Sequence, residues 1–318
     1  MVKATIAIHG GAGAITRASL DAETEQHYRR ALRDIIASGQ ALLAGGASAL
    51  EVVTEAVRQL EECPLFNAGR GSVFTAAATH ELDACVMEGH TLQAGAVASV
   101  SRVRNPVLAA RAVLQHSPHV LFCGAGAESF AEQHGLEMVD PAFFSTPERR
   151  AQLVRAQASG QTLLDHDAPP ADPLDADRKF GTVGAVALDA AGHLAAATST
   201  GGMTNKQPGR VGDSPLPGAG CYASDGVAVS CTGTGEVFIR TLAGYDLDAQ
   251  MRYGGVPLLQ AARRLIAEKI PQLGGSGGLI AIDRAGNVVL PFNSEGMYRG
   301  YGVVGDAPRV AIYAEDAQ

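Results

Sequence analysis

A threonine that follows a glycine at the start of an apolar run is the first feature of this sequence that could carry chemistry. Thr182 stands between "DRKFG", which ends at Gly181, and the small apolar residues of "VGAVAL". A threonine hydroxyl is a weak nucleophile unless a base accepts its proton, and the α-amine of an N-terminal threonine is one such base. The reference pKa of an α-amine is about 7.7 to 8.0, so an appreciable fraction is neutral near pH 7.

Thr182 is internal, so this chemistry requires the Gly181–Thr182 peptide bond to break. The stretch from about 158 to 179 is rich in Asp, Pro and Ala without a sustained hydrophobic period, which predicts a flexible linker just upstream. Glycine at 181 permits conformations that would hold the bond strained for attack by the hydroxyl. The alternative is a plain strand after a plain loop, and the pattern alone favours that alternative.

Two further segments could bind a charged substrate and stabilise its reaction. "GRVGDSP" places Arg210 and Asp213 three residues apart in a glycine-flanked loop. A guanidinium suits an α-carboxylate and an aspartate suits an α-ammonium, although the two residues alone equally describe a surface ion pair. "CTGTGE" offers the Thr232 hydroxyl and the Gly233 N–H as donors to an oxyanion. Read without context, that segment is also compatible with a turn or a phosphate cradle.

Other familiar signatures are incomplete. "GAGAES" follows a predicted strand as a dinucleotide fingerprint would, but Ser129 occupies the position of the third glycine. "GGSGG" has the letters of a nucleophile elbow, but Ser276 precedes a strand instead of following one. The sequence has no HExxH, no Walker A pattern and no CxxC among its five cysteines, so neither zinc, P-loop chemistry nor a disulfide framework is predicted.

The composition indicates a globular protein with a large core. The 318 residues are 46% hydrophobic and 18% charged, enough for one large domain or two smaller ones. A net charge of -8 gives no electrostatic reason to expect nucleic acid or an anionic membrane as a partner. No apolar run approaches the roughly 20 residues that cross a bilayer, and the first residues lack the pattern of a signal peptide, so we expect a cytoplasmic protein.

The elements that must position these residues can be predicted in outline. A buried strand is expected at Ala4–Ile8, ended by glycines, and an amphipathic helix from Ser48, capped by Glu51, to the residue before Pro64. "ELDACVM" and "AGAVASV" have the pattern of strands, and Asn105 before a proline marks a helix start. Two hairpins are predicted in the second half. Two sheets packed face to face with helices outside would accommodate these elements.

Several long segments also resemble one protein family. "IHGGAGA", "CPLFNAGRGSVFT", "NPVLAARAV", "AAATSTGGMTNKQPGRVGDSPLPGAGCYA" and "VSCTGTGE" are similar to the plant-type (type III) L-asparaginases, or isoaspartyl peptidases, of the N-terminal nucleophile hydrolases. The resemblance spans nearly the whole chain in the family's order. It implies an α+β protein with a four-layer αββα sandwich of two mainly antiparallel sheets. It also implies one domain cut into an α chain (1–181) and a β chain (182–318), assembled as a dimer of αβ pairs.

The resemblance assigns roles to individual residues. Thr182 matches the nucleophile, Gly181 the end of the α chain, and Thr200 the threonine that orients the nucleophile. Asn67 matches an asparagine at the edge of the site. The implied substrate loop and oxyanion loop are Arg210, Val211, Gly212 and Asp213, then Thr232, Gly233, Thr234 and Gly235. A sodium-binding loop is implied as well, formed by the main-chain carbonyls of Leu60, Glu61, Cys63, Phe66, Ala68 and Arg70.

The implied activity is hydrolysis of L-asparagine and β-aspartyl dipeptides through a β-aspartyl ester on Thr182, with release of L-aspartate and without a catalytic cofactor. Glycosylasparaginase is the nearest alternative, but it has Asp-Thr at its cut site and enters the secretory pathway with disulfides, whereas this chain has Gly-Thr. A nucleotide-binding protein built around "GAGAES" or "CTGTGE", and an inert scaffold, are the non-enzymatic alternatives.

Overall fold

A computed structural model describes residues 3–158 and 181–316. The strands in these ranges are β1 (Thr5–Gly13), β2 (Leu82–Glu88), β3 (Ala94–Val100), β4 (Leu121–Cys123), β5 (Val183–Leu188), β6 (Leu194–Thr200), β7 (Cys221–Ala223), β8 (Val227–Gly233), β9 (Gly277–Asp283), β10 (Val288–Val289), β11 (Gly296–Val303) and β12 (Arg309–Tyr313). The helices are α1 (Ala22–Ala44), α2 (Ala49–Glu62), α3 (Pro106–His116), α4 (Gly124–Gln133), α5 (Pro147–Ala158), α6 (Gly235–Thr241), α7 (Ala243–Arg252), α8 (Leu258–Arg263) and α9 (Ile270–Gln272).

The strands form two sheets. The larger has the order β12-β11-β1-β5-β6-β2-β3-β4, and the smaller has the order β10-β9-β8-β7. Neighbouring strands are antiparallel except for β3 and β4, which are parallel. The two predicted hairpins are confirmed as β5–β6 and β9–β10.

Three apolar layers separate the helices and sheets. Small side chains such as Ala7, Val186 and Ala196 meet Ile280 and Ile282 between the two sheets. A second layer lies between the larger sheet and α1, α2 and α3, and a third lies between the smaller sheet and α6 to α9. Alanine and glycine on the facing strands permit close contact between the sheets. The predicted four-layer αββα sandwich is confirmed.

The start of α2 follows the sequence prediction closely. The Ser48 hydroxyl oxygen accepts the Glu51 N–H at 3.3 Å, and the Glu51 carboxylate accepts the Ser48 N–H at 2.9 Å. These two bonds satisfy backbone donors that a helix start otherwise leaves unpaired. The helix ends at Glu62, two residues before Pro64. The capping box and the proline stop are therefore both confirmed.

The start of α3 differs from the prediction in one detail. The helix begins at Pro106 as expected, but Asn105 makes no side-chain cap and its amide donates to Glu62 at 3.1 Å. The carboxyl group of Glu61 accepts the Val107 N–H at 2.9 Å instead. A residue from a neighbouring helix thus supplies the acceptor that local sequence reasoning gave to Asn105.

Strand β1 extends beyond the predicted end at Ile8. It continues through the glycines to Gly13, with a register shift between His9 and Gly11 where it pairs with β11. Gly11 and Gly181 lie against each other with no room for a β-carbon on either residue. The glycines therefore allow a strand to pass directly beside the Gly181–Thr182 bond, and the prediction that they end the strand is wrong.

The predicted linker lies outside the described residues, apart from Ala158 at the end of α5. The description resumes at Gly181. Among the helices of the described ranges, none combines the length and apolar character needed to cross a bilayer.

Candidate active site

Thr182 lies at the end of the larger sheet, immediately before β5, and its side chain is buried. Thr200 ends the adjacent strand β6, in which Ser199 is paired with Val183. The structure therefore brings Thr200 beside Thr182. The Thr200 hydroxyl oxygen accepts the Gly202 N–H at 2.9 Å, so its own proton is available to a neighbour.

The Thr182 hydroxyl has a second neighbour that the sequence analysis did not assign. Thr182 Oγ1 lies 3.2 Å from the Oγ of Ser214, which is buried. Ser214 occupies a tight turn closed by the Leu216 N–H donating to the Asp213 carbonyl at 3.0 Å. In the sequence, Ser214 is distinguished only by its position in "GRVGDSP", where Arg210 and Asp213 are the residues whose charges suggest a function.

Asn67 connects its loop to the end of β6. Its side-chain amide donates to the Gly202 carbonyl at 2.7 Å, and its side-chain oxygen accepts the Val73 N–H at 3.0 Å. Its main-chain carbonyl accepts the Gly201 N–H at 3.1 Å. Asn67 thus holds the backbone that immediately follows Thr200.

A buried polar network lies between the sheets and reaches the backbone of Thr182. His9 Nε2 is 2.8 Å from Ser230 Oγ, which is 2.7 Å from Thr198 Oγ1, and that hydroxyl donates to the Gly220 carbonyl at 3.2 Å. Burial lowers the pKa of His9 to about 3, although the backbone of Thr182 acts in the opposite direction. His9 therefore stays neutral near pH 7. The sequence shows His9 only as a single histidine beside apolar strand residues, which does not predict this network.

Arg210 lies in the loop between β6 and β7 and forms a two-pronged ion pair. Its Nε and Nη2 each donate to the Glu236 carboxylate at 2.9 Å. The Glu236 side chain is 48% exposed, so a carboxylate ligand can replace it without leaving a buried charge. The fork shows that this guanidinium presents two parallel donors to a carboxylate. Val211 beside it is half-buried and Gly212 is buried.

Asp213 is held close to this guanidinium in a buried position. Gly235 lies between the two groups, since a β-carbon there would be 2.9 Å from both Arg210 Nη2 and Asp213 Oδ1. Burial raises the pKa of Asp213 to about 7, and the charge of Arg210 acts in the opposite direction. Asp213 Oδ2 is fully buried without a hydrogen-bond partner in the described parts of the chain. Such an oxygen is a ready acceptor for a cation.

The predicted oxyanion donors lie at the end of β8. The Thr232 hydroxyl is buried and has no hydrogen-bond partner among the residues described. Gly233 has a φ of 143° and is packed against the Ser276 carbonyl and Gly277 with no space for a side chain. The Thr234 hydroxyl is bonded to the backbone of Ser276, at 3.3 Å to its carbonyl and 3.2 Å to its N–H. Ser276 is a loop residue, as predicted.

The loop expected to bind sodium presents neutral oxygen atoms. The carbonyls of Leu60, Glu61 and Cys63 accept N–H groups from within the loop. A β-carbon on Gly71 would lie 2.9 Å from the Phe66 carbonyl oxygen, so that oxygen faces the loop interior. Neutral carbonyls suit a hard monovalent cation, and each keeps a second lone pair. Within the described ranges, no group of three or more His, Cys, Asp or Glu side chains is placed to hold a metal ion.

The side chain of Glu61 links this loop to the sheet. One carboxyl oxygen accepts the Ser199 hydroxyl at 2.7 Å and the Val107 N–H at 2.9 Å. The other is buried without a partner in the structure as described. Burial raises the pKa of Glu61 to about 8, so it is largely protonated near pH 7.

Contacts connect most of the predicted residues into one site. The Thr182 hydroxyl is within hydrogen-bond distance of Ser214. Asp213, the residue before Ser214, packs against Gly235, and so does the guanidinium of Arg210. Thr232 lies three residues before that glycine. Acyl transfer on an amino acid amide needs a nucleophile, a forked donor for the carboxylate, a buried acceptor for the ammonium and a hydroxyl donor for the oxyanion. These residues can supply all four.

Comparison with known proteins finds relatives that match nearly the whole chain. The family model described as asparaginase (Asparaginase_2) matches residues 2–312. A protein of Salmonella typhimurium named isoaspartyl peptidase is 65% identical over 316 residues, which cover 99% of this chain and 100% of that protein. A protein of Escherichia coli with the same name is 64% identical over 99% of this chain and 98% of its own length. A plant-type L-asparaginase of Pyrobaculum calidifontis is 40% identical over 95% and 98% of the two chains.

Proposed function

The chain belongs to the asparaginase family, and from that premise we propose that it is an amidohydrolase that cleaves L-asparagine and β-aspartyl dipeptides to release L-aspartate. The observation that supports this most strongly is the contact of Thr182 with the loop that carries Asp213 and Arg210. That contact joins the nucleophile to groups suited to the two charges of an amino acid.

Maturation is the first step of the proposal. The Thr182 hydroxyl attacks the Gly181 carbonyl carbon, an O–C bond forms, the C–N bond breaks, and the hydroxyl proton passes to the released amine. Water then hydrolyses the Gly181 ester. The products are an α chain of residues 1–181 and a β chain of residues 182–318 with Thr182 as its first residue.

The substrate is held by its α-carbon substituents. Its α-carboxylate takes the place of Glu236 on the Arg210 guanidinium, and its α-ammonium binds Asp213, which ionises as the cation arrives. Val211, Gly212, Thr234 and Gly235 complete the wall of this pocket. Because these contacts involve only the aspartyl half of the substrate, different leaving groups can be accepted.

Catalysis then follows two chemical steps. The free amine of Thr182 takes the hydroxyl proton, the oxygen attacks the side-chain carbonyl of the substrate, and the proton is returned to the departing amine. Thr232 and the Gly233 N–H donate to the oxyanion, while Thr200 and Asn67 keep the nucleophile and its surroundings in place. Water attacks the resulting β-aspartyl ester, which releases aspartate and restores the threonine.

Other parts of the proposal concern the surroundings of this site. A sodium ion would stabilise the loop that contains Asn67 without taking part in the reaction. It would be bound by the main-chain carbonyls of Leu60, Glu61, Cys63, Phe66, Ala68 and Arg70.

Two αβ pairs form a dimer, and neither nucleic acid nor membrane is a partner. A cytoplasmic location is supported by five cysteines that are all free thiols.

Glycosylasparaginase activity is not favoured, because the pair at the cut site is Gly-Thr and the relatives above are named isoaspartyl peptidase and L-asparaginase.

The function is tested by incubating the purified protein with L-asparagine and with β-aspartyl-leucine while free aspartate is measured. We expect release from both substrates by the wild type and none by Thr182→Ala. Aspartate release that persists in the alanine variant would rule out the assigned nucleophile.

A further inference from the structure

A cavity of about 520 Å³ opens beside the scissile bond, and the proposed mechanism does not yet use it. Gly181 and Asn67 form part of its wall, so it reaches the residue that Thr182 attacks during maturation. Its remaining walls come from β1, α1, the start of α5, β11 and the loop after α2, and Arg210 and Asp213 are not among its lining residues.

Aromatic side chains form the floor of this cavity. The rings of Tyr28 and Tyr298 are stacked with centroids 4.1 Å apart, and Phe66 meets them edge-on at 5.6 and 6.2 Å. Phe66 also packs on Gly10 so closely that a β-carbon there would overlap its ring. The floor is therefore fixed against the same glycine strand that contacts Gly181.

The rim of the cavity is polar. The Arg149 guanidinium lines it and is anchored by its Nε donating to the Gly71 carbonyl at 2.7 Å. Thr24, in the first turn of α1, lines it as well. Glu148 lines the cavity as well, so the rim carries charges of both signs. The Arg149 guanidinium is the group there that suits the α-carboxylate of an amino acid whose apolar side chain packs on the aromatic floor.

We propose that this cavity is the binding subsite for the leaving amino acid of a β-aspartyl dipeptide, with a preference for large apolar or aromatic residues. The inference rests on the function proposed above. Thr182 attacks the Gly181 carbonyl in maturation and the substrate carbonyl in turnover, so the space at Gly181 is space next to the attacked carbon. Gly181 is bonded to the Thr182 nitrogen, and in turnover that nitrogen returns the proton to the departing amine. The space beside it therefore adjoins the leaving group, while Arg210 and Asp213 hold the aspartyl half.

Asparagine provides an internal control for this subsite. Its leaving group is ammonia, which is too small to contact the aromatic floor. A change confined to the cavity should therefore alter the hydrolysis of dipeptides and leave the hydrolysis of asparagine unaltered.

The test compares kcat/KM of the self-cleaved wild type for β-aspartyl-phenylalanine, β-aspartyl-glycine and asparagine. Burying a phenylalanine side chain in place of glycine is expected to raise kcat/KM by about tenfold or more. Thr24→Trp should fill the cavity and abolish that advantage, while kcat and KM for asparagine stay unchanged. Thr24→Val, which keeps the size of the residue, is the matched control and should retain the advantage.

Three results would overturn the inference. One is equal kcat/KM for the phenylalanine and glycine dipeptides in the wild type, a measurement that needs no variant. Another is a Thr24→Trp protein that remains active on asparagine and keeps the full preference for phenylalanine. If the wild type releases aspartate from none of the three substrates, the proposed function itself fails, and the subsite fails with it.

Discussion

The hydroxyl oxygens of Thr182 and Ser214 lie 3.2 Å apart in the uncleaved chain, both in buried side chains. Before cleavage the nitrogen of Thr182 is part of a peptide bond and cannot act as a base. The direction of the Thr182 hydroxyl must then be set by its neighbours, and within residues 3–158 and 181–316 Ser214 shares a hydrogen bond with it. The turn from Asp213 to Leu216 holds that serine in place.

Replacing Ser214 with alanine should slow self-cleavage by up to about 100-fold, because a misdirected hydroxyl loses its attack geometry. The fraction of cleaved chain is followed by gel electrophoresis after expression and during incubation. Ser214→Thr, which restores a hydroxyl, should recover part of the rate. Ser38→Ala, a serine on α1 outside the site, is the control. Cleavage of Ser214→Ala at the wild-type rate would show that this contact has no role.

The hydroxyl of Thr232 is predicted to act in the transition state and not in folding. Thr232→Val removes the hydroxyl with little change in shape, and we expect kcat to fall by about 100- to 1000-fold with a small change in KM. Because that hydroxyl has no partner in the described chain, the melting temperature should not fall. An unchanged kcat would remove Thr232 from the proposed oxyanion hole.

Arg210 is predicted to need its forked shape as well as its charge. Arg210→Lys keeps the charge but loses the two parallel donors that now hold Glu236. We expect KM for asparagine to rise by about 10- to 100-fold, which corresponds to the loss of charge-assisted hydrogen bonds. Arg240→Lys, on the same helix as Glu236 and exposed, should behave as the wild type. Steady-state kinetics that do not distinguish the two variants would contradict the assignment.

Glu61 is predicted to make the protein less stable as the pH rises. Its pKa is about 8 in the folded protein against a usual 4.5, so the folded state favours the protonated acid. The contribution of Glu61 is therefore most favourable below pH 4.5 and declines until pH 8, by up to about 5 kcal/mol. Glu61→Gln keeps an acceptor for Ser199 and Val107 without this decline.

Urea unfolding of the Glu61→Gln variant at several pH values measures this effect. The free energy of unfolding of the variant, relative to the wild type, should increase between pH 5 and pH 9. Glu55→Gln is the control, since Arg58 lowers the pKa of that carboxyl group and no such increase is expected. Parallel pH curves for Glu61→Gln and the wild type would show that the buried acid is not protonated.

The layers of the fold were predictable because their signals are local. The capping box of Ser48 and Glu51 and the proline at 64 fix α2, and two runs of small apolar residues around a short glycine turn identify the hairpin of β5 and β6. Strand β11, the second strand from one edge of the larger sheet, was not predicted, since its glycines and polar residues look like a loop until it is paired with β1. The same long-range pairing explains why β1 continues past Ile8.

The site was predictable because its candidate residues stand in segments that resemble one family. Threonine after glycine, an Arg-Asp pair and a Thr-Gly pair each suggest chemistry, but alone they also fit a plain strand, a surface ion pair or a turn. Ser214 and His9 were not found, because a serine before proline and a histidine in an apolar strand have many structural uses. Their importance depends on distances to Thr182 and Ser230 that only the assembled sheets create.

The most direct test of the account is the mass of the active protein. Intact-mass spectrometry of enzyme that releases aspartate should find two polypeptides, one ending at Gly181 or trimmed before it and one beginning at Thr182, and only the full-length chain for Thr182→Ala. Finding only the full-length polypeptide in material that hydrolyses asparagine would contradict the account, because Thr182 would then have no free amine to act as its base.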